Sequence, residues 1–287
     1  MNTWLTDFPE GLRLNITEPI DQAIAYMMAN WSPFFDALSQ ALRAMLRGVQ
    51  GALNLLPWWA LILLVLLATL KITRKPLRAL LYAGMLLFIG AIGLWPLMYT
   101  TLAIIITSVL IALLLGFPLG VLISFSRRAG RLLRPVLDTM QTMPSFVYLI
   151  PAVMLLGLGN VPAVIATVIY AMPPIVRMTS LGLRSVDGEV VEAARAFGST
   201  RMQMLVKVLI PQAMPTIMAG INQTIMMAIA MVVTSSMIGA RGLGSEVLTG
   251  INRLESGRGF AAGIAIVIVA VIIDRLTQGL ARKEESA

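Results

Sequence analysis

Seven stretches of this chain are apolar over a length that only a membrane or the centre of a helix bundle accommodates, and they constrain the fold before any motif does. They run near residues 53–70, 77–94, 97–125, 136–157, 163–181, 211–238 and 260–280. Crossing the hydrocarbon core takes about 20 residues of α-helix, and a backbone in lipid must satisfy its own hydrogen bonds. The expected class is all-α, a polytopic membrane protein with about seven transmembrane helices. The third stretch is long and carries Gly116, Pro118 and Gly120, so a kink or tilt is expected near its end. An odd number of spans places the termini on opposite sides.

Charge decides which side is which. Sixteen Lys and Arg flank one side of the spans, in clusters within 71–78, 127–134, 177–207 and 275–283, and six flank the other. The positive-inside rule then places the N-terminus outside and the C-terminus in the cytoplasm. The net charge of +8 is large enough to raise nucleic acid as a partner. With 58% hydrophobic and 13% charged residues and a mean hydropathy of +0.85, however, basic clusters beside apolar stretches are membrane topology.

Residues 1–52 are mixed, with Ile20, Ile24, Met27, Trp31, Phe34, Leu38, Leu42 and Met45 recurring at helical spacing. This is expected of an amphipathic helix in the membrane interface, broken in two at Pro33, with docking of a partner subunit as the alternative. Met1 to Asp7 lacks the basic and apolar regions of a cleaved signal peptide.

Several chemistries are disfavoured. The chain has no Cys and no His, which removes disulfides and the commonest metal ligands, and no metal or cofactor is expected on it. No Gly-x-x-x-x-Gly-Lys-Ser/Thr loop occurs, so the chain does not itself bind and hydrolyse ATP in the usual way. Asp138, Arg177 and Asp274 fall near span ends rather than centres, which argues against an ion-coupled carrier or channel.

The most explicit local signal is a polar island between two apolar blocks, residues 182–211. Asp187 is placed to cap a short helix, Gly198 to close it in a left-handed turn, and Thr200 with Gln203 forms a capping box for a second helix. Pro211 opens the next apolar block where a missing N–H is tolerated. Ala193, Ala194, Phe197 and Gly198 leave one flank almost bare of bulk, with a single ring projecting. Such a flank is shaped to insert into a partner.

Glu192-Ala193-Ala194, Gly198 and the ending Val208-Leu209-Ile210-Pro211 together resemble the signature of the membrane-spanning subunits of binding-protein-dependent ABC importers. The resemblance implies that spans three to seven form the five-helix core of type I importers. It also implies that Glu192, Ala193, Ala194, Phe197, Gly198 and Pro211 belong to a loop docking in a groove of an ATPase subunit. Glu192 would pair with a basic group of that subunit or stabilise its own helix through the dipole. The implied partners are two ATPase subunits, which hold the ATP and Mg, a solute-binding protein outside, and a second permease copy. From about residue 100 the resemblance narrows. Segments such as Gln141-Thr-Met-Pro144-Ser-Phe-Val-Tyr148, Met172-Pro-Pro174 and Met214-Pro-Thr-Ile-Met-Ala-Gly-Ile-Asn222-Gln223-Thr224 are similar to permeases for glycine betaine, proline and choline. A quaternary-ammonium compatible solute is implied, with another small solute such as an amino acid as the alternative.

Polar residues inside the spans make a candidate translocation path: Gln141, Thr142, Ser145 and Tyr148, then Tyr170, then Asn222, Gln223 and Thr224. Such residues also serve as interhelical glue. Pro144, Pro151, Pro173 and Pro174 fall in the same spans, and interrupted helices at membrane depth border cavities or lie buried in protein. The expected organisation is an interfacial segment 1–52, two accessory helices 53–96, a core 97–281 containing the coupling loop 182–211, and a tail 282–287.

Overall fold

The computed structural model describes residues 14–285, which contain helices and turns and no strand. Residues 1–13, on which the absence of a signal peptide was read, and the last two residues of the tail lie outside the described residues. In chain order the helices are α1 (Thr17–Asn54), α2 (Trp58–Thr73), α3 (Pro76–Ala91), α4 (Trp95–Phe125), α5 (Arg127–Thr142) and, after a 3-10 turn at Ser145–Tyr148, α6 (Leu149–Leu156). Then come α7 (Asn160–Arg184), α8 (Gly188–Ala196), α9 (Arg201–Met204), a π-helical turn at Leu205–Leu209, α10 (Ile210–Ser236), α11 (Leu243–Asn252) and α12 (Ser256–Glu285).

The centre of the bundle is α7, sixteen of whose 25 residues are buried. It packs between α4 and α10, and glycines set how closely. A Cβ on Gly120 of α4 would stand 2.7 Å from the Val176 carbonyl oxygen, and one on Gly220 of α10 would stand 2.6 Å from Met178 Cβ. Apolar side chains have little to gain by leaving lipid for each other, so helices that touch backbone to backbone gain dispersion instead. Matching contacts along α4 and α7, Ser108 Oγ donating to the Val164 carbonyl and Gly120 against Thr179, show that the two run parallel. Met231 packs with Ala163 while Gly220 meets Met178, so α10 runs back. Around this trio, α2 and α3 share a core with α12 through Val65, Leu86 and Ile272, and α1 lays Leu42 and Leu46 against Ile104 and Val164.

Connectivity gathers the basic clusters at one end. Ile72 abuts Gly279, the Arg184 guanidinium donates to the Ile123 carbonyl, and α5 starts where α4 stops. At the opposite end the loops before α7 and after α10 are clasped together. Gly159 donates to the Ile238 carbonyl at 2.9 Å and Arg241 N–H to Asn160 Oδ1 at 2.7 Å.

Among the described residues, four helices are long and apolar enough to span a membrane: α4, α7, the continuous rod Arg201–Ser236, and α12 over Ser256–Gly279. Seven apolar positions are reached only by adding the shorter α3 and two sharply bent pairs. The stretch expected as a fourth span is one of these pairs: α5 and the segment Ser145–Leu156 meet at 113°. Its first half belongs to α5, which carries Arg127, Arg128, Arg131 and Arg134 and is amphipathic rather than apolar. The chain breaks at Met143 and Pro144, both extended; the proline ring disfavours the helical conformation in the residue before it, and here that residue caps the end of the polar helix. The first stretch is also bent, with α1 and α2 at 88°, and the Tyr99 hydroxyl donates to the Leu56 carbonyl across that corner at 3.0 Å.

One expectation about proline is corrected. Pro33 does not divide α1, which is one 38-residue helix. A proline deletes one backbone bond, here to the Ala29 carbonyl, and the many flanking turns carry the helix past it. Pro118 lies inside α4, which is a single helix over Trp95–Phe125.

Candidate coupling loop and translocation path

The polar island folds as its residues dictate. Asp187 Oδ1 accepts from Glu189 N–H at 2.9 Å and starts α8. Eleven residues after Asp187, Gly198 takes φ +78°, its N–H donates to the Arg195 carbonyl at 2.9 Å, and Ser199 N–H donates to the Ala194 carbonyl at 3.1 Å. These bonds close the helix with a left-handed residue, as glycine permits. Thr200 and Gln203 form the reciprocal capping box, at 2.8 and 3.3 Å.

The junction with the next apolar block departs from expectation. Pro211 does not open a separate helix, because α9, the π turn and α10 form one rod from Arg201 to Ser236. The π turn sits immediately before the proline, where the Ile210 N–H reaches back to the Leu205 carbonyl. A proline ring at 211 crowds the carbonyl four residues earlier, and one wider turn relieves that clash while keeping the rod continuous. The island's second helix is thus rigidly joined to the bundle.

Packing separates the two faces of the island. Val191 and Ala194 lean on the cluster of Leu183, Met204, Leu209 and Ala213. Glu192, Ala193, Phe197 and Gly198 face away, and the Phe197 ring is 92% exposed. Of the Glu-Ala-Ala triplet, then, Ala194 packs inward while Ala193 stays open. Glu192 makes no ion pair among the described residues. A fully presented phenylalanine beside an alanine flank costs hydration free energy in isolation, and such patches mark contact surfaces.

The path residues divide into separate groups. Gln141, Thr142, Ser145 and Tyr148 surround the break between α5 and α6. Gln141 is exposed, and the exposed Thr142 hydroxyl donates to the Thr139 carbonyl at 3.0 Å. The buried Tyr148 donates from its hydroxyl to the Met140 carbonyl, bridging the break. Tyr170 of α7 joins this group, its ring centre 5.9 Å from that of Tyr148. On α10 the three neighbours diverge. Gln223 is exposed along with Ala219, Met226 and Ala230, whereas Thr224 is fully buried with no partner for its hydroxyl. Asn222 is engaged with α12: its amide donates to Asp274 Oδ1 at 3.0 Å and its oxygen accepts from the Thr277 hydroxyl at 2.6 Å. Those are the contacts of interhelical glue.

Sequence reasoning missed the link between α5 and α7. Arg177 pairs with Asp138, and both line a cavity of about 260 Å³ with Arg134 and Arg184 at the basic end. The signal was present as opposite charges 39 residues apart, but nothing in their spacing pairs them until α5 is folded back against α7.

The family described as binding-protein-dependent transport system inner membrane component matches residues 112–285. Among individual proteins, the chain is similar to the glycine betaine/proline betaine transport system permease protein ProW of Escherichia coli (strain K12). The two are 42% identical over 99% of this chain and 83% of that one. It is also similar to the glycine betaine/carnitine transport permease protein GbuB of Listeria monocytogenes serotype 1/2a (strain 10403S), 47% identical over 90% of this chain and 93% of that one. A solved structure of the MetNI methionine ABC transporter aligns with a TM-score of 0.58 at 23% identity, covering 64% of this chain and 92% of the other. At that identity the likeness speaks to the fold.

Proposed function

Because the chain belongs to the family of binding-protein-dependent transport system inner membrane components, we propose that it is the membrane-spanning permease of an ATP-driven importer for a quaternary-ammonium solute. Glycine betaine is the first candidate. One observation carries the choice: both relatives, each aligned over nine-tenths or more of this chain, bear glycine betaine in their names. ATP hydrolysis resides in a partner chain, and the solute is delivered by a binding protein.

In this reading two copies of the chain pair, and the exposed faces around the α5–α6 break and along Gln223 of α10 border the path between them. Tyr148 and Tyr170 suit a methylated ammonium ion, which is attracted to aromatic faces and needs no hydrogen-bond acceptor. The basic end faces the cytoplasm, as the asymmetry of Lys and Arg favours. The α8–Gly198–α9 elbow docks into the ATPase with Phe197 as its inserted ring, and the rod Arg201–Ser236 carries the movement into the bundle.

The substrate is tested on the binding protein that serves this permease, titrated calorimetrically with glycine betaine, proline betaine, choline, carnitine, proline and methionine. Binding of one or more methylated ammonium compounds, with proline and methionine weak or silent, is the expected result. Tight binding of an ordinary amino acid alone would overturn the substrate class while leaving the permease assignment intact.

A further inference from the structure

We propose that the basic cavity where α2, α3 and α12 meet is a binding site for the phosphate group of an anionic phospholipid. The cavity measures about 940 Å³ and is lined by Lys71, Arg74, Lys75, Arg78 and Arg275. No carboxylate is among its described lining residues. The nearest described acid, Asp274, turns one oxygen to Asn222 and Gln278 and leaves the other 3.8 Å from Arg275. Among the described residues, five cations thus share one concavity with a single, largely occupied counter-charge.

Topology alone does not require this arrangement. The positive-inside rule asks only that basic residues lie on one side of the membrane, whereas here a residue some 200 positions away in sequence completes the ring. The fold brings it there by two local devices. Arg74 takes a left-handed backbone (φ +53°), with its N–H on the Leu70 carbonyl, and Pro76 starts α3 at once, so α2 and α3 reverse within two residues. Gly279 lets α12 close on that turn, since a Cβ would stand 2.2 Å from Ile72 Cγ2, and Arg275 lies one helical turn earlier.

The neighbouring surface selects a lipid over a soluble anion. Leu67, Leu77, Leu80 and Leu81 are exposed on the same two helices, within about one helical turn of the cations. A ligand covering both surfaces has an anionic head and an apolar tail, the chemistry for which basic pockets between membrane helices are suited.

The test uses the complete transporter, permease with its ATPase and binding protein, in phosphatidylcholine vesicles carrying a trace of photoactivatable lipid. A phosphatidylglycerol probe should label peptides within 70–82 and 275–279 at least about five-fold more than a phosphatidylcholine probe. The double substitution Arg74→Gln with Arg78→Gln should remove that excess with the ATPase still co-purifying, and Arg78→Lys should keep it. Equal labelling by the two probes, labelling indifferent to the double substitution, or displacement of the probe by inorganic phosphate at matched ionic strength would each overturn the proposal. Should the double variant fail to assemble, the ratio of the two probes and the phosphate competition decide on the unaltered protein.

Discussion

Two glycines show how the same residue type serves opposite ends. Gly120 is required by space: a Cβ there meets the Val176 carbonyl and Thr179 Cβ within 2.7 Å, and neither atom is a flexible tip. Gly120→Ala is expected to force α4 from α7 and destabilise the isolated permease by about 1–3 kcal/mol, read as a lowered Tm in detergent. An unchanged Tm would mean that the helices are not in backbone contact. Gly198 has nothing within 4 Å of its Cβ position, so its requirement is the positive φ alone, roughly 1 kcal/mol for an L-residue. Gly198→Asp should therefore leave the Tm of the isolated permease within about 2 °C, yet abolish retention of the ATPase or its stimulation by loaded binding protein. Normal solute-stimulated hydrolysis by this variant would remove the elbow from the coupling route.

At the scale of elements, what was legible in the sequence was whatever local chemistry decides. Asp187, Gly198, Thr200 and Gln203 each act on backbone within a turn or so of themselves, and α8 begins and ends, and α9 begins, where those residues place them. Pro33 misled because a single lost backbone bond is outweighed by the turns around it, whereas the chain breaks at Pro144 because Met143 is already at the end of the polar α5. The path was less legible for another reason. An amide or hydroxyl in a span is ambiguous until its partners are known, and tertiary packing gave Asn222 to α12 and Tyr148 to the break. Since the Tyr148 hydroxyl ties Met140 across that break, Tyr148→Phe is expected to lower stability by only about 1 kcal/mol. The same change should reduce solute moved per ATP hydrolysed as α5 and α6 lose their tie. Uptake and hydrolysis measured together on one preparation check this, and an unaltered ratio would make the hydroxyl a packing detail.

For the whole molecule, one end gathers the basic clusters and the elbow, and the other gathers the clasped loops before α7 and after α10. With no native Cys, the orientation is directly accessible. Arg128→Cys and Arg195→Cys should be shielded from an impermeant thiol reagent in intact cells, and Leu158→Cys and Arg253→Cys should be labelled; all four side chains are exposed. The reverse pattern would turn the elbow away from any cytoplasmic ATPase. The central claim is that this chain imports a quaternary-ammonium solute through energy supplied by another polypeptide. Its most direct test is uptake of radiolabelled glycine betaine into vesicles containing the permease, its ATPase and its binding protein. Accumulation should require ATP on the side of the elbow and binding protein on the other, and persist when ion gradients are collapsed. Accumulation by the permease alone, driven by a sodium or proton gradient without ATP, would contradict the account.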